Sequence, residues 1–169
     1  LNGDEADIWP GDIAAMAGRH ADAADHFRRF CDFLEARGWR GLLSTYGPML
    51  GRSLCKLGRH DEAEPLAQLG RETGALHDAR TQMLWRQVQA LVDSSRGSHV
   101  EAEQLAREAV AITERTDALN WQGDALSDLA DRAILLVVTQ RPDGPLALTD
   151  AATLTLTLSR LTASDTRAL

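Results

Sequence analysis

Apolar and polar positions alternate along most of this chain with the period of an amphipathic α-helix. The clearest stretch is 100–116, where small and apolar residues recur at i, i+3, i+4 and i+7 and charged residues occupy the opposite face. The same pattern predicts helices over most of the chain, separated by short turns. The predicted ranges are 5–17, 21–37, 41–57, 61–74, 78–96, 100–116 and 119–138.

One turn sequence recurs between these helices. Gly-Arg-His stands at 18–20 and 58–60 and Gly-Ser-His at 97–99, and an alanine follows three residues after each histidine. The glycines Gly18, Gly58 and Gly97 are 40 and then 39 residues apart. Self-similarity at such a period indicates a repeat array, in which one unit is too small to bury its own core.

Other positions keep the same register. Seven residues before the turn glycines stand small residues, which would let two paired helices approach closely: Gly11, Gly51 and Ala90. Tyr46 and Trp85 are also equivalent, and Trp121 follows a repeat later; these aromatics either pack between hairpins or line a peptide groove. Just after two of the turns, Ser98 with Glu101 and Asp61 with Glu64 predict capping boxes.

A small residue, a glycine turn seven residues later and an alanine five residues after that resemble the tetratricopeptide repeat, over roughly 8–131. This chain departs from that pattern in its period, which is about 34 in the family, and in carrying His after the turn glycine. The resemblance implies an all-α, right-handed solenoid of antiparallel helical hairpins, about three to four in number.

A narrower resemblance covers much of the same span. The segments that carry it are 36–45, 57–64, 83–86, 103–117 and 123–130. They are similar to the C-terminal repeat region of large actinobacterial multidomain proteins with an adenylate/guanylate cyclase domain and a P-loop ATPase. Since the family's cyclase carboxylates and P-loop lie outside this chain, no catalytic residue carries over.

In tetratricopeptide arrays the first helix of each hairpin lines the concave face. Transferred by register, the resemblance places Thr45, Arg52, Lys56 and Gln87 in a possible binding groove. Arg52 and Lys56 are one helical turn apart, so together they could hold a carboxylate.

Composition and charge narrow the function classes. The chain is 44% hydrophobic and only 5% aromatic, and its formal charge of -7 argues against a nucleic-acid surface. It holds no apolar run long enough to cross a bilayer. Cys31 and Cys55 fall inside helical patterns, which predicts buried thiols in a reducing, cytoplasmic compartment. The start of the chain lacks Met and a signal peptide, so we expect a fragment of a longer protein.

Candidate chemistry is sparse. His20, His60 and His99 share one repeat position, which helix packing spreads about 10 Å apart, whereas zinc ligands must meet at about 2 Å from one ion. We therefore expect these histidines to pack at the hairpin corners. Because no nucleophile elbow or glycine-rich phosphate loop is present, the sequence predicts no catalytic residue, metal or cofactor.

The repeat pattern stops near position 131. The next glycine turn is due near position 137, where Val137 stands, and Pro142 stands where the turn alanine is due. Charge changes there too: 14 basic and 22 acidic residues give -8 over 1–131, and 4 basic and 3 acidic give +1 over 132–169. We predict repeats over 1–131 and treat 132–169 as an atypical terminal hairpin with a capping helix at 146–161, an altered reading frame, or a strand-like or disordered tail.

The sequence therefore predicts a non-catalytic interaction or regulatory module of a larger cytoplasmic signalling cyclase/ATPase. Its expected partners are a protein, a peptide or neighbouring domains of the same polypeptide, and neither nucleic acid nor membrane. The alternative is the repeat region of a large ATP-binding transcription activator with a helix-turn-helix domain.

Overall fold

A computed structural model of the chain describes residues 8–130, which lie within the compact unit Leu1–Leu135. The described residues form seven α-helices and contain no strand, which confirms the all-α prediction for this part of the chain. The helices are α1 (Ile8–Met16), α2 (His20–Ala36), α3 (Arg40–Lys56), α4 (His60–Thr73), α5 (Ala79–Ser95), α6 (His99–Thr113) and α7 (Leu119–Ala130).

Most helix ends lie within one or two residues of their predicted positions, but α6 ends at Thr113 rather than at 116. The chain turns there because polar groups satisfy the last carbonyls: the Gln122 side-chain amide donates to the carbonyl oxygens of Thr113 and Thr116 at 3.1 and 3.2 Å. The predictions for 5–7, 131–138 and the terminal segment 132–169, including its capping helix, lie outside the described residues.

The repeated glycine turn closes each helix that precedes it in the same way. Gly18 has φ of +72°, the Arg19 amide donates to the Ala14 carbonyl and the Gly18 amide donates to the Ala15 carbonyl. This is the Schellman arrangement, which favours glycine because other residues are strained at positive φ. The same pair of bonds recurs at Gly38, Gly58 and Gly97. The glycine of the turn sequence is therefore a helix stop.

The predicted capping boxes are wrong. The residues before α4 and α6 are Arg59 and Ser98, and neither makes a side-chain capping hydrogen bond. Both helices begin two residues after the turn glycine, so the turn itself sets their first residue. A side-chain cap is found instead at α5, where the Asp78 carboxylate accepts from the backbone amides of Arg80 and Thr81.

Each helix packs against the next along the chain, and α3 also contacts α5, which contacts α7. The alanine that follows each glycine turn is buried at these contacts: Ala23 and Ala63 are 0% exposed and Ala102 is 1% exposed. The small residues upstream of the turns also permit close approach. A Cβ on Gly11 would lie 2.8 Å from Phe27 Cε1, and one on Gly51 would lie 3.1 Å from Val88 Cγ1.

Candidate functional site: a groove lined by α1, α3, α5 and α7

An open groove of about 620 Å³, a size typical of ligand sites, lies among the described residues. We call it the α1–α7 groove, because α1, α3, α5 and α7 supply most of its lining and α2 adds two side chains. Its lining residues are Trp9, Asp12, Ile13, Ala15, Met16, His20, Phe27, Met49, Arg52, Ser53, Lys56, Arg80, Met83, Leu84, Asn120, Trp121, Gly123 and Asp124.

Helix α1 gives the groove an exposed apolar wall. Trp9, Ile13 and Met16 follow one another at i, i+4 and i+7, so they share one face of the helix. They are 73%, 60% and 77% exposed, although each is large and apolar. The opposite face of α1 holds Gly11 and Ala14, which are buried and pack toward α2. Helix α1 therefore buries its small residues and presents its large apolar residues to the groove.

Two cations that line the groove, Arg52 and Lys56, pair with a buried carboxylate that is not itself part of the lining. Asp128 of α7 accepts from Arg52 Nε at 2.8 Å and from Gln87 Nε2 at 3.1 Å, and Lys56 Nζ lies 3.0 Å from its Oδ1. The Asp128 side chain is only 2% exposed. We call these four residues the Asp128 cluster. Because they come from α3, α5 and α7, the cluster ties three helices together through a single carboxylate.

A second carboxylate reaches the same arginine from the surface. Asp124 Oδ1 lies 3.2 Å from Arg52, and its side chain is 48% exposed. Burial works against the charge of Arg52, but Asp128 and Asp124 together raise the pKa of Arg52 above its ordinary value. The guanidinium is thus held charged between one buried and one half-exposed acid.

Arg80 crosses the groove from α5 toward α1 and α7. Its guanidinium lies 3.6 Å from Asp12 Oδ1 and 5.6 Å from the ring centroid of Trp121, within the range of a cation–π contact. Burial raises the pKa of Asp12, Arg80 lowers it, and Asp124 adds a further rise. The three cations that line the groove, Arg52, Lys56 and Arg80, each therefore have a carboxylate partner within the described residues.

Of the four predicted groove residues, Arg52 and Lys56 line the α1–α7 groove, whereas Thr45 and Gln87 do not. Arg52, Lys56 and Gln87 all contact Asp128, whereas Thr45 lies apart and hydrogen-bonds to Thr81 near the Asp78 cap. Arg52 and Lys56 do hold a carboxylate, but it is the chain's own. Sequence reasoning missed Asp128. The available signal was its helical spacing: Asp128 lies three residues after Ala125, which is buried, and residues three apart share one face of a helix.

The three turn histidines do not share one environment. They begin α2, α4 and α6; His20 and His60 are half-buried, and His99 is exposed. The prediction that all three pack at hairpin corners is therefore wrong for His99. Among the described residues no group of three His, Cys, Asp or Glu side chains is placed to hold a metal ion.

Both cysteines are buried thiols that form no disulfide, and their burial confirms what the helical patterns predicted. Burial raises the pKa of the Cys31 thiol to about 12, and the neighbouring Asp32 adds to the rise. The thiol of Cys31 therefore stays protonated near neutral pH and is a poor nucleophile. Cys31 belongs to the same buried core cluster as Phe27 and does not line the groove.

His20 is the one groove residue that titrates near neutral pH in its ordinary state. Its pKa is lowered by partial burial and by the charges of Lys56 and Arg52, which outweigh the opposing effect of Asp128. The folded protein therefore favours the neutral imidazole. Because the unfolded chain binds the proton more readily, the stabilisation is present above the ordinary pKa of 6.5 and is lost as the pH falls below it.

We expect acidification from about pH 7.5 to about 5.5 to lower the urea midpoint of unfolding more in the native protein than in His20→Gln. The difference should be small, because the imidazole is partly exposed to water. Urea titrations followed by circular dichroism at several pH values measure it. His99→Gln controls for loss of an imidazole at the same repeat position outside the groove. A His20→Gln profile as steep as the native one would contradict the assignment.

No protein-family model matches this chain, and no curated protein or solved structure matches it significantly. None of the described helices combines the length and the apolar character that crossing a membrane requires.

Proposed function

We propose that this chain is a protein-interaction module whose α1–α7 groove binds a peptide segment, either of another protein or of a neighbouring domain in the same polypeptide. One observation carries the proposal: a groove of ligand-binding size has a wall of large, exposed apolar side chains, Trp9, Ile13 and Met16. Large apolar groups that line a concave surface are typical of binding sites rather than of a solvated exterior.

The architecture we propose is a right-handed solenoid of antiparallel hairpins of the tetratricopeptide type. Two observations support it. The turns after α1, α3 and α5 share one hydrogen-bond pattern, and unlike the similar turn after α2 each is followed by a buried alanine five residues after its glycine, which supports three equivalent hairpins. The contacts of α3 with α5 and of α5 with α7 are those expected when the first helices of successive hairpins stack side by side. In such a stack the first helices share one face, which is where the groove lies.

We further propose that the module belongs to a cytoplasmic signalling protein with a cyclase domain and a P-loop ATPase, because several of its segments resemble the repeat region of such proteins. There it would act as a semi-rigid arm without catalytic residues of its own. A segment bound in the groove would favour one arrangement of arm and ATPase, and so bias the nucleotide state. Binding can do this only if the ligand contacts the two arrangements differently.

Two measurements test this function. Sequencing the gene on both sides of this region should find cyclase and ATPase segments upstream, and a helix-turn-helix downstream would support the transcription-activator alternative instead. The purified chain should release neither phosphate nor cyclic nucleotide from ATP or GTP. Turnover that survives repurification and disappears on denaturation would contradict a non-catalytic module.

A further inference from the structure

The α1–α7 groove has features that select among peptide ligands. We propose that it binds a basic amphipathic helix of a partner protein through the apolar face of that helix. This inference rests on the interaction function proposed above and adds the chemistry of the partner. The observations that carry it are the side chains that line the groove, the pairing of its charges and the spacing of its exposed wall.

The apolar lining is adaptable. All three methionines of the chain, Met16, Met49 and Met83, line the groove. Methionine has an unbranched, polarisable side chain that repacks around differently shaped apolar groups, and for this reason it is common at surfaces that bind apolar helices. Met49 and Met83 are nearly buried and form the floor, while Met16 is exposed on the wall.

The charges of the groove are balanced internally. Arg80 pairs with Asp12, and Arg52 and Lys56 pair with Asp128, so an anionic ligand would have to compete with acids already in place. Outside the groove the balance is acidic, since residues 1–131 carry a formal charge of -8. A neutral groove on an acidic body favours a partner that is apolar where it makes contact and basic elsewhere, because the long-range field attracts cations.

The spacing of the exposed side chains on the α1 wall fits a helical ligand. Trp9, Ile13 and Met16 span two turns of α1, about 10 Å along its axis. A ligand helix with large apolar residues at i, i+4 and i+7 repeats that spacing, so its anchors can lie between those of α1. Trp121 of α7, which also lines the groove, supplies a second aromatic contact. An extended strand, whose side chains alternate between two faces, would present only half of them to this wall.

The test uses the whole chain and three synthetic peptides of about 18 residues, long enough to form a helix on binding. The first has leucines on one face and lysines on the other, the second replaces the lysines with glutamates, and the third scrambles the leucine positions. Calorimetry should show that the first binds at least about tenfold more tightly than either of the others, with affinity that falls as salt is added.

Matched variants locate the site. Met16→Gln should weaken binding of the basic peptide about tenfold, whereas Val100→Gln should leave it unchanged. Both residues are 77% exposed, so neither change removes a core side chain, and Val100 lies on α6 outside the groove. Circular dichroism of both variants checks that the fold is retained.

Each other outcome overturns the inference. Equal or tighter binding of the glutamate peptide would reject a basic partner and leave the interaction function standing. Equally tight binding of the scrambled peptide, or equal effects of Met16→Gln and Val100→Gln, would reject the groove as a helix site. A dimer that Met16→Gln dissociates would assign the groove to a second copy of the chain. Absence of binding by all three peptides, as when another segment of the chain fills the groove, would reject it as well.

Discussion

Asp128→Asn is expected to lower the free energy of unfolding by about 3 kcal/mol, near the lower end of the range for breaking a buried ion pair. The Asp128 side chain is 2% exposed and faces Arg52 and Lys56. Asparagine keeps the size of aspartate, so no cavity forms, but the two cations lose their buried counter-charge. We expect a loss of stability at the lower end of that range because Arg52 and Lys56 are 17% and 20% exposed, so water can reach them. Urea denaturation followed by circular dichroism measures the change.

Asp124→Asn provides a matched control. Asp124 lies on the same helix and contacts the same arginine, but its side chain is 48% exposed. Removing that charge should cost less than about 1 kcal/mol, as for other surface ion pairs. The comparison isolates burial as the variable. If the two substitutions destabilised the protein equally, the Asp128 cluster would not be the contact that holds α7 to α3 and α5.

Phe27→Ala is expected to cost about 3–5 kcal/mol, the range for removing a fully buried phenylalanine ring. Phe27 is 1% exposed and its ring packs so closely on α1 that Gly11 has no room for a Cβ. Without the ring, α1 loses a close packing contact with α2. Since α1 carries Trp9, Ile13 and Met16, the same substitution should weaken peptide binding in the groove. Urea denaturation gives the stability, and calorimetry with the basic peptide gives the affinity.

Phe33→Ala on the same helix is the control for Phe27→Ala. Phe33 is half-buried and its outer face lies under the Arg37 guanidinium, 3.4 Å from the ring centroid. Truncation there loses contacts with Phe30 and Trp39, but a half-buried ring leaves no enclosed cavity, so the loss should be below that at Phe27. Similar losses at the two positions would show that the α1–α2 contact does not depend on the Phe27 ring.

Local patterns in the sequence were sufficient to predict where the helices lie and where the turns between them fall. The stop at Gly18 could be predicted because a left-handed residue is needed to close a Schellman turn, and glycine has the lowest cost there. The burial of Ala23, Ala63 and Ala102 agrees with the repeat, because equivalent positions in a stacked array make equivalent contacts. The capping boxes failed because the glycine turn, rather than a side-chain cap, fixes where α4 and α6 begin.

Register predicted that Arg52, Lys56 and Gln87 face one groove, and in the structure all three contact Asp128. What they converge on could not be inferred from spacing, because Asp128 lies 76 residues from Arg52 in the chain. The exposed wall of α1 was also missed. Its nine residues carry apolar side chains on both faces, so periodicity could not tell which face is buried.

By itself the sequence determined the helices, the glycine stops and the repeat that relates them, because each depends on residues within a few positions of one another. The tertiary structure alone decided which charges are neutralised and which apolar residues stay exposed. Both depend on what a distant helix places beside a side chain: Asp128 next to Arg52 and Lys56, and Phe27 beneath Gly11, which turns Trp9, Ile13 and Met16 toward the groove.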